Sequence, residues 1–264
     1  MLGFIGAGNM ASAIIKGIVA SEMLSANEIA VFDIDKSKTE KLRADYGVRV
    51  LLSAQDIAMS CDKVVLSVKP DVFSSLLAQI DESFKASNPL IISIAAGKTL
   101  DFISACLSYK AKIVRVMPNI NATVGAAVSA YCGNEEVGID DLDFVRKLCE
   151  SFGIAVNIEE KLFSIYSAIG GCSPAFAYMF IDSLARAAVK NGMPKAQALE
   201  VAAGAVMGSA KMILESTEHP WQLVDRVCSP GGTTIEGVSS LQANSFEAVV
   251  GEAVEASYLK DKKM

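Results

Sequence analysis

Over the first half of the chain, short runs of continuous apolar residues alternate with stretches in which apolar positions return every three or four residues. Leu2-Gly3-Phe4-Ile5 and segments 28–32, 63–68, 90–94 and 112–116 read as strands. Segments 10–21, 36–46, 72–84 and 100–107 read as helices. Strands apolar on both faces, separated by helices, predict a parallel sheet covered on both sides. Right-handed crossovers then make it doubly wound. Segments 128–132 and 154–157 are candidates for further strands.

The pattern changes near Lys161. From Leu162 onward no strand is predicted, and helices are expected at 174–191, 194–216, 221–228, 234–243 and 246–260. Pro174 and Pro194 suit first helical positions, and Asn191-Gly192 suits a helix stop. The two longest helices are apolar nearly all round. Phe176, Tyr178, Met179, Ile181 and Leu184 leave the first in every direction, as Val201, Val206, Met207 and Met212 leave the second. A helix without a polar face is buried on all sides. Five helices do not bury two such members alone, so this part is predicted to pack against a second copy of itself. The expected fold is α/β: a doubly wound domain at 1–160 and an all-α dimerisation domain at 161–264.

Composition narrows the function. The 264 residues are 52% apolar and 20% charged, which suits a folded soluble chain rather than a disordered one. A net charge of −6 with no basic stripe argues against a nucleic-acid partner. The six cysteines form no C-x-x-C pair and His219 is the only histidine, so no metal is expected and the thiols read as reduced and mostly buried. The first ten residues lack a basic n-region, and no apolar stretch is long enough for a bilayer. The expectation is a cytoplasmic protein without membrane contact.

Gly6-Ala7-Gly8-Asn9-Met10-Ala11 is a G-x-G-x-x-A sequence that follows the first strand and opens the first helix. Gly6 permits the tight turn, Gly8 lets backbone approach a pyrophosphate, and Ala11 lets the helix lie close to the strand. The free N–H groups of Gly8, Asn9 and Met10 then face the phosphates, as in Rossmann domains. Asp33 ends the second strand, where such domains place a carboxylate on the adenosine ribose. There it favours NAD(H), whereas Lys36 and Lys38 just beyond favour the extra phosphate of NADP(H). Both are also ordinary residues for a turn and a solvated helix start, so the cofactor is expected to be NADP(H) or NAD(H).

Four more segments complete a series: Val68-Lys69-Pro70, Ser93-Ile94-Ala95-Ala96-Gly97, Arg115-Val116-Met117-Pro118-Asn119, and Cys228-Ser229-Pro230-Gly231-Gly232-Thr233-Thr234 running on into Ile235-Glu236-Gly237-Val238. The series resembles the pyrroline-5-carboxylate reductase family along essentially the whole chain. The resemblance implies reduction of 1-pyrroline-5-carboxylate, a cyclic imino acid, to L-proline by NADPH or NADH, the last step of proline biosynthesis. It also implies a helical domain that interlocks two subunits, with dimers associating further.

In an open α/β sheet, ligands sit beyond the carboxyl ends of the strands. Val68, Lys69, Pro70, Ala95, Ala96, Gly97 and Asn119 fall there and are assigned to the cofactor. The small residues leave room for the nicotinamide, and Asn119 either bonds the cofactor or holds its loop. Residues 229–234 form a Gly-rich turn before a helix, a pattern of convergent N–H groups that suits a small carboxylate. The resemblance implies that Ser229, Gly231, Gly232, Thr233 and Thr234 bind the substrate, with the Thr234 hydroxyl near the ring nitrogen as the orienting catalytic group. The same turn also reads as a capped helix start with Thr233 or Thr234 as N-cap.

Some positions depart from the family or have a plain structural reading. His219 precedes a helix and reads as a loop or cap residue. Thr217 stands where some family members carry a substrate-contacting Glu, which leaves Glu218 or water to replace it. Gly170 stands where the family usually has Ser, and Ser173 reads as an N-cap before Pro174. A β-hydroxyacid dehydrogenase would need a Lys on the first long helix of the second domain, and segment 176–184 has none. A non-catalytic dinucleotide-binding protein would have no need of the intact 229–234 turn.

Overall fold

β1 (Leu2–Ile5), β2 (Ile29–Phe32), β3 (Arg49–Val50), β4 (Lys63–Leu66), β5 (Leu90–Ser93), β6 (Ile113–Met117), β7 (Ala127–Gly133) and β8 (Gly153–Asn157) form one sheet in the order 3-2-1-4-5-6-7-8. Alternate strand residues face opposite cores. Phe4, Val31, Val65, Ile92 and Val114 lie on one side, and Ile5, Val64, Leu66, Ile91 and Ile113 on the other. α1 (Asn9–Ala20), α2 (Lys36–Tyr46) and α6 (Ile139–Glu150) cover the first face through Ile14, Leu42 and Val145. α3 (Ala54–Ser60), α4 (Phe73–Ser87) and α5 (Leu100–Ala105) cover the second through Ile57, Phe73, Phe84 and Ile103. Full burial of side chains such as Phe73 and Phe84 stabilises by about 2–3 kcal/mol each. The doubly wound architecture is as expected. The computed structural model describes residues 1–263, in two compact units, Met1–Gly171 and Cys172–Lys263.

The sheet is not wholly parallel: β7 runs antiparallel to β6, and every other pair is parallel. The link 118–126 is shorter than the dozen or so residues a parallel crossover needs, so the chain turns back through a 3₁₀ turn, Ile120–Val124. β3, α3 and α6 are additions to the predicted elements. The first two are short and held by their neighbours. α6 does carry a helical signal, with Leu142, Val145 and Leu148 at spacings of three on its inner face.

After β8 the first unit continues into α7 (Phe163–Tyr166) and a π-helical turn, Ser167–Cys172. Phe163 and Tyr166 pack into the second core beside the sheet, so the first unit extends past the change of pattern at Lys161.

The second unit holds α8 (Ser173–Lys190), α9 (Lys195–Glu215), α10 (Pro220–Val227), α11 (Thr233–Ala243) and α12 (Phe246–Asp261). All five expected helices are present. Two caps differ from expectation. Ser173 is not an N-cap, because Cys172 before it is already helical as part of the π turn. Pro194 is the N-cap of α9 rather than its first residue, with an extended ψ of 137°. α8 and α9 meet through Ala185, Ala198 and Ala202, small residues that allow close approach but bury little. Met179 (71% exposed) and Met207 (72%) are therefore bare on a single chain, together with Tyr178, Val201, Ile213 and Leu214. Apolar exposure on this scale marks an association surface.

Candidate active site

The turn after β1 is built from close backbone contacts. Gly6 has φ +101°, and a side chain there would lie 2.6 Å from the Ser67 carbonyl oxygen. Gly6 N donates to Phe32 O at 2.8 Å, and Ser67 Oγ donates to Gly6 O at 2.6 Å. Ala11 is buried against the strand. Gly8 caps α1 and has no side chain to satisfy the first N–H groups of the helix. A Cβ built on Gly8 meets nothing within 4 Å, so this face is open to a ligand. Beside it lies a cleft of about 430 Å³ whose lining includes Asn9, Ser12, Lys16, Lys38 and Lys41. Free N–H groups, open space and a wall with three lysines against one acid, Asp45, fit a dinucleotide pyrophosphate.

Asp33 has a double task in this turn. Its Oδ2 accepts from Ala7 N at 2.7 Å and its Oδ1 from Asp35 N at 2.9 Å. Lys38 Nζ lies 3.9 Å from the same carboxylate and 3.8 Å from Asp35. The residue expected at the ribose thus holds the Gly6–Met10 turn, beside a cation.

Met10 follows in the first turn of α1. Val68, Lys69 and Pro70 follow β4, with Lys69 capping the 3₁₀ turn Pro70–Val72. Ala95, Ala96 and Gly97 follow β5, and Ala96 and Gly97 are exposed. The first unit therefore gathers all these residues at the carboxyl edge of its sheet.

Asn119, at the end of β6, is buried with its amide engaged twice. Oδ1 accepts from Asn121 N at 3.2 Å, and Nδ2 donates to Gly170 O at 2.8 Å. Pro174 has no N–H for the carbonyl four residues back, which is that of Gly170, and Asn119 fills the gap. Of the two tasks expected of Asn119, its side chain does the loop-holding one.

Ser229, Gly231, Gly232, Thr233 and Thr234 lie together in the second unit. Gly232 N donates to Ser229 O at 3.0 Å, and Gly231 turns with φ +70°. Gly232 is the N-cap of α11, and a Cβ on it would collide with Ser229 Oγ. Neither Thr233 nor Thr234 is the cap. They are the first two helical residues, so their N–H groups are among those the helix leaves unpaired. The turn is exposed apart from half-buried Gly232.

His219 is the N-cap of α10, its Nδ1 accepting from Trp221 N at 3.3 Å while Gln222 accepts from His219 N. It is a cap residue, as expected. Glu218 Oε2 accepts from Arg226 at 2.9 Å, so the acid beside Thr217 has a partner of its own.

Of the six free cysteines, Cys61, Cys132 and Cys149 are buried and the others half-buried. Burial pushes the Cys61 thiol up to about 11 and Cys132 and Cys149 to about 12, so these three are not nucleophiles. Among the described residues, no cluster of His, Cys, Asp and Glu could hold a metal ion, and no helix is long and apolar enough to cross a membrane. Sequence reasoning passed over Ser67, Lys16 and Lys41 because their positions depend on which strands and helices become neighbours.

Known proteins resemble this chain throughout its length. The family model for pyrroline-5-carboxylate reductase dimerisation matches residues 160–264, and that for coenzyme F420-dependent NADP oxidoreductase matches 1–97. Pyrroline-5-carboxylate reductase of Escherichia coli (strain K12) is 41% identical, covering 100% of this chain and 97% of the relative. Human pyrroline-5-carboxylate reductase 2 is 32% identical, covering 100% and 83%. The solved Plasmodium falciparum pyrroline carboxylate reductase with NADP bound superposes with a TM-score of 0.86 at 35% identity, covering 99% of this chain and 97% of the other. The Streptococcus pyogenes enzyme gives 0.85 at 35%, covering 100% and 98%. Prephenate dehydrogenase from A. aeolicus, at 14% identity and a TM-score of 0.55, shares the fold alone. With a full-length relative at 41% identity, the chain belongs to the pyrroline-5-carboxylate reductase family.

Proposed function

We propose that this chain reduces 1-pyrroline-5-carboxylate to L-proline, with NAD(P)H at the Gly6–Met10 turn and the substrate carboxylate at residues 229–234. The observation that carries the reading is the pair of anion sites built from backbone. One is the uncapped start of α1 beside a lysine-walled cleft, and the other is the Gly231-Gly232 turn opening α11. The first suits a diphosphate and the second a single carboxylate.

A dinucleotide held by the Gly6–Met10 turn would supply the hydride that reduces the imine carbon. The ring nitrogen would carry a proton taken from water, so it can keep the C=N electron pair. The chain's own work is to bind and orient. The N–H groups of Thr233 and Thr234 fix the carboxylate, and the Thr234 hydroxyl accepts from the protonated nitrogen. Threonine is too weak an acid to supply the proton itself, so Thr234 orients rather than protonates.

Asp33 repels a ribose 2′-phosphate and Lys38 attracts one, and 3.9 Å separates them. Cofactor preference is the balance of these two groups, and both NADPH and NADH fit. A second copy of the chain covers the bare apolar faces of α8 and α9, giving a homodimer. The six free thiols fit the reducing cytoplasm.

The test is oxidation of NADPH and of NADH, in separate assays, by purified protein with 1-pyrroline-5-carboxylate. Proline should form in step with cofactor consumed. Folded protein that turns over neither cofactor overturns the assignment.

A further inference from the structure

Glu160 ties together two elements that its place in the sequence does not connect. It opens a 3₁₀ turn, Glu160–Leu162, just before α7. One oxygen, Oε1, accepts from Leu100 N at 2.8 Å and from Arg115 at 3.0 Å. Arg115 projects from β6 with its side chain only 8% exposed, and its guanidinium carbon lies 4.4 Å from the centre of the Phe163 ring. Its Nε is buried without a hydrogen-bond partner. A cation so deeply placed needs a counter-charge, and Glu160 supplies it.

The Leu100 bond serves a different purpose. Leu100 is the first residue of α5, and its N–H is one that the helix itself leaves unpaired. Thr99 takes the N–H of Phe102 instead, at 3.1 Å. Residues 95–99 thus form a span fastened at both ends. Ser93 Oγ accepts from Ala95 N at the strand end, and Glu160 accepts from Leu100 N at the helix end. Between the anchors, Ala96 and Gly97 are exposed at the carboxyl edge of the sheet.

We propose that Glu160 is a positioning residue for the cofactor: through Leu100 it sets the 95–97 loop against which the nicotinamide lies, while its charge serves Arg115. The inference rests on the reading of that loop as the nicotinamide wall. The two duties are separable, because a neutral amide still accepts from Leu100 N but no longer balances Arg115.

The test measures the NADPH Kd, kcat, both KM values and Tm for the full-length protein and for Glu160→Ala, Glu160→Gln and Ala96→Leu. Glu160→Ala should raise the NADPH Kd and KM about tenfold with the pyrroline KM little changed, which corresponds to about 1.4 kcal/mol of lost binding. Glu160→Gln should lose as much Tm as Glu160→Ala yet restore NADPH binding to near the parent value. Should Glu160→Ala not fold, pairing it with Arg115→Met removes the buried cation along with its partner. NADPH binding that simply follows Tm across the two Glu160 variants, or that is unchanged in Glu160→Ala, overturns the inference. Ala96→Leu separates the two levels. If it weakens NADPH binding while Glu160→Ala does not, the loop reading stands and the role of Glu160 falls. If it leaves NADPH binding unchanged, the loop is not the wall and the inference falls with it.

Discussion

Asp33 Oδ2 accepts a hydrogen bond from Ala7 N at 2.7 Å, which ties the end of β2 to the turn that opens α1. One carboxylate therefore holds that turn and, in the proposed binding mode, also sets the charge at the ribose. Asp33→Asn keeps an acceptor for Ala7 N and removes the charge. The ratio of kcat/KM with NADPH to that with NADH should rise about tenfold, the effect of relieving roughly 1.4 kcal/mol of repulsion. Lys38→Ala should move the ratio the other way. A ratio that ignores both changes would place the adenosine elsewhere.

Gly170 faces Tyr166, and a Cβ at 170 would lie 2.6 Å from the ring and 2.9 Å from its hydroxyl. The ring is fixed, because its hydroxyl lies 2.9 Å from Met117 O and 2.7 Å from Val128 O across the antiparallel strands. A side chain at 170 therefore has no room while that ring stays in place. Gly170→Ala should cost about 2 kcal/mol, the usual scale of overpacking a filled site. Combined with Tyr166→Val the cost should largely vanish, since the two side chains compete for one space. Urea unfolding of the two single variants and the double variant measures it.

Thr234 is assigned an orienting hydroxyl on the first turn of α11. Thr234→Ala should lower kcat/KM for the pyrroline about tenfold, the worth of one hydrogen bond to a charged group, and leave the NADPH Kd unchanged. Thr234→Ser should recover most of the rate. Full activity in Thr234→Ala removes the role.

Met207 is 72% exposed on α9 of the single chain. If a second copy covers it, Met207→Glu buries an unpaired charge and should shift the protein toward monomer by sedimentation. A variant that remains dimeric at all concentrations would show that the bare face lies outside the interface.

Much of this was legible in the residue pattern. The G-x-G-x-x-A turn, the apolar strands and the five terminal helices depend on local periodicity and glycine geometry, which are written in short windows. The sense of β7 was not, because it depends on the length of the 118–126 link rather than on the residues of the strand. β3 has two residues and exists only by pairing with β2. The π turn before α8 concealed the true status of Ser173, since Pro174 reads as the start of a helix that has in fact already begun. Glu160 and Tyr166 act across the fold, and nothing near either residue in the sequence marks its partner.

The most direct measurement follows the hydride itself. Protein is supplied with 1-pyrroline-5-carboxylate and NADPH deuterated at the transferable position of C4, and the product is examined by mass spectrometry and NMR. The expected product is L-proline with a single deuterium on the ring carbon next to nitrogen and away from the carboxylate. Unlabelled proline, or no proline from folded protein, would contradict the assignment of this chain as the reductase.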